Sequence, residues 1–137
     1  MRRTSGRKAL QWVIGILATA PLVSGMVGLT GIFNPMFLEN LPENTLLDSN
    51  LRFLNAMAVG IALSFYAIIP VIEKQTFALR ILCASIFCGG LGRILSILSM
   101  GMPAVPFIVF LCIELISPVI LIFWQKKVSA DVMEPSS

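Results

Sequence analysis

The sequence contains no histidine. That absence excludes bis-histidine haem, histidine-ligated zinc, histidine-based di-iron bundles and every Ser-His or Cys-His nucleophile system. Charge is scarce as well: 12% of the 137 residues are charged, against roughly 25% in a soluble domain. With 57% of the residues hydrophobic, the chain is neither a water-soluble globule nor disordered. The three cysteines, Cys83, Cys88 and Cys112, form no C-x-x-C and sit in apolar runs. They read as small buried hydrophobes rather than disulfide partners or metal ligands. There is no P-loop and no G-x-G-x-x-G. Gly89, Gly90 and Gly92 form a G-G-x-G cluster, but it lies within an apolar run with no strand before it, so it is no nucleotide loop. The methionines form no metal-binding cluster, and neither a metal nor another cofactor is expected.

What the chain does have is length in its apolar runs. About 20 apolar residues cross a bilayer as a helix, and four stretches qualify, near residues 9–33, 51–72, 77–100 and 103–124. The expectation is an all-α, integral membrane four-helix bundle over residues 1–125, with a short polar tail at 126–137. No internal repeat divides it into halves. The basic start and the Ala18-Thr19-Ala20 pattern imitate a signal peptide. Pro21 directly after it, and the continuing apolar run, favour a retained span. Arg2-Arg3 is followed by Thr4-Ser5-Gly6 rather than apolar residues, so it is not a twin-arginine signal.

Basic residues set the orientation. Arg2, Arg3, Arg7, Lys8, Lys74, Arg80, Lys126 and Lys127 fall on one side, Arg52 alone on the other with Glu39, Glu43 and Asp48. Both termini are expected in the cytoplasm and the 34–50 loop outside. The net charge of +3 then requires no nucleic-acid partner; the partner is the lipid bilayer. Phe37, Leu38, Leu41, Leu46 and Leu47 make the loop amphipathic, predicting that it lies along the outer interface or acts as a lid.

Close helix packing in lipid uses small residues. The third span carries Ser85, Gly89, Gly92, Ser96 and Ser99, within about 80° of one another on a helical wheel. The first span has Ser24, Gly25, Gly28 and Gly31, the second Ala56, Gly60 and Ser64. These stripes are read as intramolecular packing faces, with a homodimer face or ligand cleft as the alternative. Pro21, Pro70 and Pro118 each remove one helical hydrogen bond. Pro118 releases the carbonyl of Glu114, and Pro103 and Pro106 suit the first turn of the fourth helix.

Arg93 and Glu114 carry the most information, because each lies well inside an apolar run. A charge at mid-span costs about 2.5–3.5 kcal/mol on translocon scales. The short Gly101-Met102 connection makes the third and fourth helices antiparallel neighbours, so an Arg93–Glu114 ion pair is geometrically easy. Such a pair is either a packing lock or a polar site for a ligand, a headgroup or a proton. Arg52 and Asn55, one turn apart at the outer end of the second span, could join it from above; Asp48 would cap that helix or pair with Arg52. Tyr66 reads as an interface residue, and Trp12 and Trp124 as an aromatic belt.

Arg52-Phe53-Leu54-Asn55-Ala56, Gly89-Gly90-Leu91-Gly92-Arg93-Ile94-Leu95-Ser96, Gly101-x-Pro103, and Glu114-Leu115 followed by Pro118 resemble the bacterial membrane family catalogued as domain of unknown function 4345. The likeness runs from about residue 10 to 125. It implies a small four-helix protein of the bacterial inner membrane and no established activity.

The leading functional expectation is a binding protein for a small amphiphile or lipid headgroup. Arg93 and Glu114 form its centre, Arg52 and Asn55 its mouth, and Ser85, Gly89, Gly92, Ser96 and Pro118 its helix packing. The alternatives are an oligomeric small transporter or proton-coupled carrier, and a structural or assembly subunit. An enzyme acting on a lipid-soluble substrate has least support, since acid–base chemistry would rest on Glu114 and Tyr66 alone.

Overall fold

The computed structural model describes residues 2–36 and 41–133. Phe37 and Leu38 of the amphipathic loop, and the tail beyond 133, lie outside the described residues. The chain is all-helical: α1 (Arg2–Gly28), α2 (Thr45–Ile68), α3 (Thr76–Met100) and α4 (Val105–Met133), with no strand among the described residues. Single 3-10 segments follow α1 (Gly31–Phe33) and α2 (Ile69–Lys74). The stretches Ser5–Gly28, Thr45–Lys74, Thr76–Met100 and Val105–Val132 are each long and apolar enough to cross a membrane.

Local chemistry explains the ends. α1 stops where Gly31 takes φ +66°, a conformation that L side chains avoid. α2 begins at Thr45, six residues before the expected start, because Asn44 caps it by accepting the Leu47 N–H at 3.0 Å. Leu46 and Leu47 therefore belong to the helix rather than to the loop. At its other end Pro70 has no N–H to offer, and the chain tightens into the 3-10 segment, with Val71 out of helical geometry at φ −127°, ψ 30°. α3 ends at Gly101, φ +92°. Pro103 stays in the connection and Pro106 occupies the second position of α4. α4 does not end near Trp124. It continues to Met133, because Gln125, Val128 and Ser129 extend the buried face that Leu121 begins. The expected polar tail is thus helical in its first part.

The chain packs as two units, residues 1–12 with 70–137, and residues 13–69. In the first, α3 and α4 form an antiparallel pair. Leu79, Cys83 and Gly90 of α3 are buried, and a Cβ on Gly90 would meet Leu115 Cδ2 at 2.8 Å and Glu114 Cβ at 3.3 Å. This corrects the expected packing face. Ser85, Gly89, Gly92, Ser96 and Ser99 are all exposed, and a Cβ on Gly89 or Gly92 would meet nothing within 4 Å. Gly90 lies about 140° around the helix from the middle of that stripe. Cys88 and Cys112 are exposed too, so only Cys83 is a buried hydrophobe.

In the second unit, α1 and α2 also run antiparallel. Gly25 packs on the Asn55 carbonyl and Val59, and a Cβ on Gly28 would overlap the Asn55 side chain. Ala56, Gly60 and Ser64 are exposed, with open space beside Gly60, and form no part of this seam. Large apolar side chains stand exposed along every helix, among them Ile16, Val23, Phe53, Leu63, Leu95, Leu98, Val109 and Ile116. Apolar surface on this scale is membrane-facing surface.

Candidate functional site

Seven residues separate Arg93 from the end of α3, and nine separate Glu114 from the start of α4. At 1.5 Å per residue their depths are roughly 10 and 14 Å, a difference one arginine side chain spans. Arg93 Nε donates to Glu114 Oε2 at 2.8 Å. The guanidinium carbon also stands 5.8 Å from the centroid of the Phe107 ring, within cation–π range. Phe107 in turn meets Phe110 edge-on, with ring centroids 6.4 Å apart. The carboxylate and the ring therefore hold the guanidinium from two directions.

The pair is only half-buried: the Arg93 side chain is 37% exposed and that of Glu114 is 21% exposed. Glu114 engages only Nε. The two terminal nitrogens of Arg93 make no hydrogen bond to a described residue. A guanidinium presents its donors as a planar fork suited to a carboxylate or phosphate. Here that fork is oriented, unpartnered among the described residues, and set within a helix long and apolar enough to span a membrane. Pro118 is buried in α4 and gives the Glu114 carbonyl no N–H partner, which adds an acceptor to the same turn.

Arg52 is committed elsewhere. Its Nε donates to Asp48 Oδ2 at 2.7 Å, Nη1 to the Leu29 carbonyl at 2.7 Å, and Nη2 to the Thr30 carbonyl at 3.3 Å. Asp48 Oδ1 accepts the Ile32 N–H at 3.1 Å. The cluster ties the start of α2 to the end of α1 and satisfies carbonyls that helix termination leaves bare. Asn55 packs against Gly28 and donates to the Leu51 carbonyl at 2.7 Å. These two belong to the unit of residues 13–69, whereas Arg93 and Glu114 belong to the other. Tyr66 also joins α1 to α2: its hydroxyl donates to the Gly15 carbonyl at 3.0 Å and lies 2.9 Å from Thr19 Oγ1.

A third polar cluster escaped the sequence reading. Glu73 is buried, 8% exposed, with Oε2 2.9 Å from Arg7 Nε. These two atoms form an ion pair without hydrogen-bond alignment. Arg7 Nη2 donates to the Pro70 carbonyl at 2.7 Å. Ser129 Oγ donates to the Glu73 carbonyl at 2.8 Å, and Gln125 Nε2 donates to the Ile72 carbonyl at 3.1 Å and to Thr76 Oγ1 at 2.8 Å. Glu73 stands in an ordinary-looking Glu-Lys-Gln connection and gave no signal. Gln125 and Ser129 gave one, since polar residues four apart share a helical face.

Fold and site together define a small multi-pass helical membrane protein with an ion pair inside its spans. More particularly, the chain belongs to the family described as Domain of unknown function (DUF4345), whose profile matches residues 9–125. No curated protein and no solved structure matches it.

Proposed function

We propose that the protein binds the anionic headgroup of a small amphiphile or lipid at Arg93, in a bacterial inner membrane, with both termini in the cytoplasm. One observation carries this reading: the Arg93 fork is oriented by Glu114 and Phe107, yet its terminal nitrogens have no described protein partner. A ligand acid would fill the fork while its hydrocarbon remained in the lipid. Arg52 is engaged with Asp48 and the end of α1, and Asn55 with Gly28 and the Leu51 carbonyl, so the reading rests on Arg93 and Glu114. The test compares oleate with oleyl alcohol, which share a chain and differ in charge. Purified protein in mild detergent should gain thermal stability with oleate and not with the alcohol, and Arg93→Gln should abolish the gain. Equal shifts for both additives, or an unchanged oleate shift in the variant, would overturn the proposal.

A second reading, an oligomeric carrier, has one observation in its favour. The exposed small-residue face of α3 leaves room for a second backbone to approach. Crosslinking in native membranes that yields only monomers would count against it.

A further inference from the structure

The buried Glu73 cluster gathers four chain segments at one end of the unit formed by residues 1–12 and 70–137. Arg7 brings the first turns of α1 to Glu73 and Pro70, Ser129 brings the last turns of α4, and Gln125 joins α4 to the start of α3. The cations carried by these segments, Lys8, Lys74, Arg80, Lys126 and Lys127, are all exposed. Opposing charge is nearly absent. Glu73 is buried and already neutralised by Arg7, and Asp131 is the one exposed acid in this unit among the described residues.

The depth of this layer is marked by aromatic side chains. Trp12, Phe77 and Phe123 are exposed by 73%, 78% and 69% in the same part of the unit. Tryptophan at the end of a span sits at the level of lipid headgroups, so Trp12 sets that level. Lys8, Lys74, Lys126 and Lys127, just beyond the aromatics, therefore lie where phosphate groups lie, and Arg80 one turn into α3 can reach the same level with its long side chain.

We infer that this end of the protein is a collar for anionic phospholipid headgroups, held in shape by the Glu73 cluster. A general excess of basic residues on one side would orient the chain during insertion without requiring the segments to be fastened together. Here one buried carboxylate and its carbonyl hold two termini and a connection in one layer. The segments that carry these lysines and Arg80 are thereby gathered, and clustered cations attract anionic lipid electrostatically. This surface is separate from the Arg93 fork and does not depend on it.

Native mass spectrometry after exchange into equimolar phosphatidylglycerol and phosphatidylcholine tests the inference. The wild-type protein should retain the anionic lipid at least fivefold over the zwitterionic one, and less so as salt rises. The triple variant Lys74→Gln, Lys126→Gln, Lys127→Gln changes only exposed side chains, and its preference should fall below twofold. Made in an Arg93→Gln background, the same triple change should still lower the preference, because the lysines and the fork are separate surfaces. Equal retention of both lipids by the wild type, or an unchanged preference in the triple variant in either background, would overturn the collar.

Discussion

Inside a bilayer each ionised side chain must be offset. Arg93 and Glu114 each carry a cost of about 2.5–3.5 kcal/mol on insertion scales. The charge-assisted Arg93–Glu114 bond and the Phe107 ring offset part of that cost. The glycines of α3 separate in the same residue-by-residue way. Gly90→Val should destabilise by about 1–3 kcal/mol through overpacking against Leu115. Gly89→Ala and Gly92→Ala should each stabilise by about 0.4–1 kcal/mol, because their Cβ atoms enter open space and alanine is the better helix former. Thermal unfolding in mild detergent distinguishes these outcomes. At the α1–α2 turn, Gly31→Ala should cost about 1–3 kcal/mol, since it strains a backbone at φ +66° and drives a methyl into Asp48.

At the scale of the helices, length and apolarity made the four spans legible. The nearness of Arg93 and Glu114 was legible for a related reason: a short link, residues 101–104 in the structure, forces its flanking helices to pair. Periodicity also identified which residues of α3 share a face. It could not say which face meets α4, because a glycine seam and a glycine stripe look alike without the neighbour's side chains. The start of α2 was hidden because Leu46 and Leu47 look like an amphipathic loop until Asn44 is seen to cap a helix. The end of α4 was hidden because Lys126 and Lys127 mark the close of an apolar run, although Val128 and Ser129 remain buried. The Glu73 cluster is tertiary in origin and joins residues more than fifty positions apart. Gln125→Leu should cost about 1–3 kcal/mol by stranding the Ile72 carbonyl and Thr76 hydroxyl. Lys126→Gln, one residue away and exposed, should change stability by less than about 0.5 kcal/mol.

For the whole molecule, the contacts among Arg7, Glu73, Gln125 and Ser129 place the start of α1, the α2–α3 connection and the end of α4 together. That convergence supports a chain that crosses the membrane four times and returns to its starting side. In a cysteine-free background, Lys74→Cys and Lys127→Cys should resist an impermeant thiol reagent applied to intact cells, and Ser49→Cys should react. Labelling of all three would contradict this topology. The central claim is that Arg93 and Glu114 are kept for binding rather than for packing. The most direct test is the thermal stability of Arg93→Ala, Glu114→Ala and the double variant, each with and without oleate. The single variants should stay folded near wild-type stability, and every variant lacking Arg93 should lose the oleate response. Single variants destabilised by several kcal/mol, with stability restored in the double variant, would instead make the pair a packing lock.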